Sequence, residues 1–287
     1  MKAIFKRELN AYFKGFTGYV YIAFILFFIG IYCITLNVRQ RYPSFEYAIG
    51  NMSFIYIVAI PLITMRVLAE EKKQRTDQLL YALPFSMVQV VIGKMLAIMV
   101  VMAIPAVVSC IFPFILGKFG DVNVLSALGS VVAFFFLGVA LAAIGVFLSA
   151  LTDSQAMAAG MCFLVMLVNF FISTLVSFLP LSALASCVAI GVVILLLAIL
   201  VWRMTRNLLA AGIFAVICEG ANWIFYSVRP IKYGGLFPDI IGELSLFSRF
   251  DVFIEGQFDI TALIYFITVA AVFLFFTVQA LERRRWN

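Results

Sequence analysis

Glu70, Glu71, Lys72, Lys73, Arg75 and Asp77 crowd into eight positions around Thr76, the densest charge in the chain. Such side chains could bind a metal, relay protons or hold an anion, but the partners those chemistries need are missing. There is no histidine, which removes Ser-His and Cys-His nucleophiles and every histidine-containing metal site. No Gly-x-x-x-x-Gly-Lys-Ser/Thr loop is present to cradle nucleotide phosphates, and no Gly-x-Ser-x-Gly elbow. The five cysteines, Cys33, Cys110, Cys162, Cys187 and Cys218, lie in apolar runs without a Cys-x-x-Cys pair, and read as small hydrophobes. No catalytic residue, bound cofactor or metal is therefore expected. One further carboxylate, Glu219, stands alone in an apolar run between Cys218 and Gly220. It is either a protonation or substrate site, or a carboxyl kept neutral by burial or hydrogen-bonded to Asn222 or Trp223.

The elements that must position these residues follow from composition. Hydrophobic residues make up 65% of 287 and charged residues 12%, with mean hydropathy +1.14. A soluble fold cannot cover itself with so little polar surface, so the chain reads as an all-α, polytopic membrane protein, one transmembrane domain over 1–287. Spans are expected at 19–36, 50–68, 88–117, 124–151, 155–178, 181–202, 208–228 and 260–281. The stretch 154–202 carries no charge; as one helix it would run ~74 Å, more than twice a ~30 Å hydrocarbon core. It must fold into two spans, turning at Leu179-Pro180-Leu181. The basic start followed by an apolar run is too long for a signal peptide and is read as a retained span.

With the N-terminus inside, alternating spans place fourteen of the twenty lysines and arginines on the cytoplasmic side. That predicts a multi-pass membrane protein with both termini, and the 70–84 segment, in the cytoplasm. The net charge of +6 is scattered at span ends, a topology signal rather than a nucleic-acid patch. In 1–16, Phe5, Leu9, Tyr12, Phe13 and Phe16 recur at helical spacing while Lys6, Arg7, Asn10 and Lys14 face away, which predicts an amphipathic helix in the membrane interface against lipid headgroups. Arg66, a turn from the end of its span, is expected to snorkel. Gly138, Ala142, Gly145 and Ser149 form a small-residue stripe suited to close helix packing, repeated by Ala156 and Gly160. In the external segment 229–259, Leu244, Phe247, Phe250 and Ile254 predict a short amphipathic helix resting on the outer surface.

Glu70-Glu71-x-x-x-Arg75 resembles the motif of membrane-embedded prenyl-protein proteases, but that family also needs histidines, and the resemblance fails. A broader likeness covers about 1–178 and 244–287. Met65-Arg66-Val67-Leu68-Ala69-Glu70-Glu71-Lys72, then Thr76, Leu79-Leu80 and Pro84-Phe85-Ser86, resemble the membrane subunit of type-2 ABC exporters. Gly18-Tyr19-Val20, Gly93-Lys94, the run 147–155 from Phe147 to Gln155, the run 246–251 from Leu246 to Asp251, and Glu282 to Trp286 are similar to its gliding-motility-type branch. Arg75 departs from the glycine common there, and 181–228 exceeds the usual six spans, which implies an inserted two-helix hairpin.

The resemblance implies a coupling helix within 70–84. Thr76 caps it, Asp77 sits in its first turn, and Pro84 ends it. Leu79, Leu80 and Leu83 share one face, and Glu70, Glu71, Lys72, Lys73 and Arg75 supply charges of both signs. The implied partners are a pair of cytoplasmic P-loop ABC ATPase subunits, which would bind the ATP and Mg²⁺, a second permease chain (the same or a related one) and membrane lipid, with no nucleic acid. The implied function is a permease that couples ATP hydrolysis to export. The alternatives are an ion-coupled carrier using Glu219 and a non-transporting scaffold or sensor of an ABC complex.

Overall fold

The computed structural model describes residues 2–74, 86–118, 120–205 and 208–286; Arg75, Thr76, Asp77, Leu79, Leu80, Leu83 and Pro84 lie outside them. The described residues are helical throughout, without a strand. Among the described residues, six helical stretches are long and apolar enough to cross a membrane: Thr17–Arg39, Phe45–Lys73, Met87–Leu116, Val124–Leu151, Gln155–Ser177 and Ile260–Arg283. Two shorter apolar helical stretches, Ala183–Ile199 and Gly212–Val228, fall where the hairpin is expected. The chain is thus an all-α polytopic membrane protein. It forms two compact units, Met1–Phe170 with Leu246–Asn287, and Phe171–Ser245.

The first unit begins with α1 (Lys2–Lys14), which ends where Phe16 adopts a left-handed backbone (φ 61°) and turns the chain into α2 (Thr17–Tyr32). A wider-wound helical stretch, Cys33–Arg39, continues α2. The second span is broken into α3 (Phe45–Met52), a tight turn at Ser53–Ile55, α4 (Tyr56–Thr64) and α5 (Ala69–Lys73). Pro61 inside α4 removes one backbone donor, and the residues between Thr64 and Ala69 leave the regular helix. The third span is α6 (Met87–Ser109), capped by the Ser86 hydroxyl accepting from Gln89 N at 3.4 Å, followed by α7 (Ile111–Leu116). After α8 (Val124–Leu151) and α9 (Gln155–Ser177), the unit resumes at α14 (Leu246–Ile254) and α15 (Ile260–Trp286).

α8 is the axis of this unit; α3, α4, α6, α14 and α15 all pack on it. Its small residues make this feasible, since Ala140, Ala142, Ala143 and Ser149 are fully enclosed. A methyl group at Gly145 would come within 2.9 Å of Thr64 Cβ, and one at Gly138 within 2.8 Å of the Tyr56 ring. The small-residue stripe therefore serves close packing inside the chain, α8 against α4. Gly160 on α9 has no neighbouring atom within 4 Å of the position a methyl would take. Tyr56 stacks on Phe134 at 4.3 Å and donates to its carbonyl at 3.1 Å.

α14 differs from expectation. Its buried face is Leu246, Phe247, Phe250 and Phe253, whereas Leu244 is exposed and Ile254 half-buried. It packs on α8 and α3. Phe247 and Phe250 lie on the expected face, while Leu246 and Phe253 take the places expected for Leu244 and Ile254.

The second unit is an antiparallel pair, α10 (Ala183–Thr205) and α11 (Leu208–Val228), followed by α12 (Pro230–Tyr233) and α13 (Leu236–Glu243). Asn222 Nδ2 donates to the Cys187 carbonyl at 3.1 Å, and the Tyr233 hydroxyl donates to Asn222 Oδ1. These bonds fasten the two helices at their buried seam.

Gly145→Ala is expected to destabilise the purified protein by ~1–3 kcal/mol through overpacking, read as a lower midpoint in thermal unfolding in detergent. Gly160→Ala is expected to stay within ~0.5 kcal/mol of the parent. Equal shifts for the two would refute the close α8–α4 contact.

Candidate functional site

The charged segment is anchored by groups that its own sequence does not contain. α1 presents Arg7 and Glu8, α5 presents Glu71, and α6 presents Lys94. Arg7 Nη2 lies 2.7 Å from Glu8 Oε1 and 2.7 Å from Glu71 Oε1. Lys94 Nζ lies 2.9 Å from Glu71 Oε1 and 3.2 Å from Glu8 Oε1. Two cations and two carboxylates thus alternate in a closed ring that joins three helices.

Lys94 is only 1% exposed, and an ammonium so far from water must be fully paired. Its third contact is a hydrogen bond to the Val67 carbonyl, at 2.9 Å, so the ammonium is ion-paired to two carboxylates and hydrogen-bonded to a carbonyl. Gly93 lets α1 come this close, since a methyl there would sit 3.2 Å from Ile4 Cγ2. Burial works against the charge on Arg7, but the contacts with Glu8 and then Glu71 outweigh it and hold the guanidinium above its ordinary pKa.

Other bonds tie the same turn to α8 and α4. The Ser149 hydroxyl accepts from Leu68 N at 3.2 Å and Ala69 N at 3.1 Å, and donates to the Met65 carbonyl at 3.3 Å. It thereby satisfies amides freed where the helix breaks before α5. Lys72, also buried, donates to the Ala150 carbonyl near the end of α8. The Tyr12 hydroxyl donates to the Ile63 carbonyl at 3.0 Å, pinning α1 to α4.

The residues expected from sequence fall into three sets. Glu70 pairs with Arg66 (Nε–Oε2, 2.8 Å), so this partly exposed arginine is also held by an ion pair to α5. Glu71 and Lys72 turn inward, and Lys73 is exposed. The remainder, Arg75, Thr76, Asp77, Leu79, Leu80, Leu83 and Pro84, lie outside the described residues. On α1, Lys6, Arg7 and Lys14 are exposed and Phe5, Leu9 and Phe13 half-buried, with Ile4 the residue most fully enclosed. Glu8 and Lys94 were missed. Their signal was isolation: one acid among the basic residues of α1, and one charge in the apolar run of α6.

Glu219 is not part of this ring. Within the second unit its Oε2 accepts from Asn222 Nδ2 at 3.5 Å, and its Oε1 rests where a methyl on Gly191 would be only 3.0 Å away. The carboxyl thus lies beside Asn222 of its own helix and against Gly191 of α10. Among the described residues no group of three or more histidine, cysteine or acidic side chains could hold a metal.

A family model described as ABC-2 family transporter protein matches residues 19–210, well over half of the chain. The comparisons with curated proteins and with solved structures give no match.

Lys94→Met leaves the Glu8 and Glu71 carboxylates facing each other without their buried cation. A loss of ~3–5 kcal/mol in stability is expected, measured by thermal or denaturant unfolding in detergent. In a double-mutant cycle, Lys94→Met with Glu71→Gln should be non-additive by ~0.5–3 kcal/mol; strict additivity would mean the pair does not interact.

Proposed function

Because the chain belongs to the ABC-2 transporter family, a family of membrane transport components, we propose that it is the permease subunit of an ATP-driven exporter in the bacterial inner membrane. A separate cytoplasmic ATPase pair, carrying the ATP and Mg²⁺, docks on the 70–84 segment, and a second permease chain completes the pore. Both termini share the cytoplasmic side with that segment, as the charge bias favours.

The observation that carries this reading is how α5 is held. It is bound to α1 and α6 by the charge ring, and to α8 by Ser149 and Lys72. Force applied to the segment that follows α5 therefore reaches three helices together instead of bending a loose loop. Leu79, Leu80 and Leu83 supply apolar anchors for a groove on the ATPase, and the exposed charge of Lys73 helps register the partner. Buried ion pairs suit a mechanical link, because their geometry is narrow and breaking one partner is costly. ATP binding and hydrolysis then change the separation between two such segments and rock the bundles.

The test is affinity capture of the tagged full-length chain from its host membrane. A P-loop ATPase is expected to copurify, and Leu79→Asp or Leu80→Asp should abolish this while membrane insertion persists; undiminished copurification would count against the coupling role. In proteoliposomes holding the complex, Glu219→Gln should leave ATP-driven transport unchanged. Transport without the ATPase that is lost on Glu219→Gln would instead indicate an ion-coupled carrier.

A further inference from the structure

α8 has 28 residues, so its two ends lie ~42 Å apart. The Leu151 end is tied to α5. At the Val124 end, between the first turns of α8 and the loop after α14, lies a groove of about 480 Å³, within the ~300–1,000 Å³ of small-molecule sites. Its walls are Leu125, Gly129, Val132 and the ring of Phe258, and Asn123 and Ser126 edge it. No charged side chain lines it. Gly129 gives the groove its depth, since a methyl there would come to 3.0 Å from Phe258 Cδ2. Leu125 is 82% exposed, Phe258 59% and Val132 42%, so protein leaves the walls uncovered.

We propose that this groove seats one acyl chain of a membrane phospholipid, with the headgroup ester region at the Asn123–Ser126 edge. α8 is one of the helices long and apolar enough to cross a membrane, and Leu125 and Val132 carry the apolar wall of the groove onto its exposed surface. A water-soluble ligand would find two polar side chains and no charge. Lipid tails are as apolar as leucine, so moving a chain from bilayer to groove brings no hydrophobic gain. Selectivity comes from van der Waals fit to the concave wall and from hydrogen bonds at the edge. Retention is accordingly insensitive to salt.

The probe is phosphatidylcholine bearing a diazirine near the middle of one acyl chain, reconstituted with the full-length protein and photolysed, with labelled residues mapped by mass spectrometry. Labelling is expected to concentrate on Leu125, Val132 and Phe258. Val132→Trp, which fills the groove, and Phe258→Ala, which removes a wall, should each lower it roughly tenfold, while Gly160→Leu on the open face of α9 leaves it unchanged. Native mass spectrometry of detergent-washed protein should show one phospholipid per chain, lost in the first two variants. Even labelling of α2, α9 and α15, or undiminished labelling in both groove variants, would overturn the proposal. So would a disulfide between two copies through Leu125→Cys in the bilayer, which would assign the groove to a second chain.

Discussion

An ammonium group held away from water needs opposite charge and hydrogen-bond acceptors close around it. Lys94 meets that requirement with two carboxylates and a carbonyl drawn from three separate segments. Each acceptor constrains a different piece of chain: Glu8 sets the rotation of α1, Glu71 the position of α5, and Val67 the break between α4 and α5. Arg7 closes the ring and neutralises it. The lysine is both enclosed and paired, so any relative shift of the three helices would strand a charge.

The second constraint is steric. α8 packs closely enough on α4 for Ser149 to reach the amides exposed at the break before α5, because Gly138 and Gly145 carry no side chain to hold the helices apart. Packing and hydrogen bonding thus support one another. Without the small residues the serine would not reach the break, and without the serine the freed amides would lie unpaired in an apolar interior. In the second unit a similar division of labour is seen on a smaller scale, with Asn222 and Tyr233 closing a seam between two otherwise apolar helices.

Much of this could be read from the residues in advance. The six long apolar helices begin and end within a few residues of the expected spans, and Pro180 lies in the turn between two helices as helix length demanded. Local motifs carried the family likeness, which the match over 19–210 supports at the level of the family. Less legible were pairings between distant positions. Glu8 and Lys94 are 86 residues apart, and nothing local announces that they meet. Arg66 looked like a snorkelling flank because its partner Glu70 already belonged to the charged run. On α14, periodicity points to Leu244 and Ile254, whereas packing on α8 and α3 encloses Leu246 and Phe253 instead.

Sequence alone therefore determined the class of solvent, the spans and the character of the charged segment, since each follows from composition and period within a single helix. Tertiary structure decided which of the segment's charges remain available. Glu71 and Lys72 turn into the bundle because acceptors and donors from α1, α6 and α8 converge there, while Lys73, one residue on, stays in the open. A helix places side chains 100° apart whatever surrounds it; only neighbours brought from far along the chain determine which of those directions is inward.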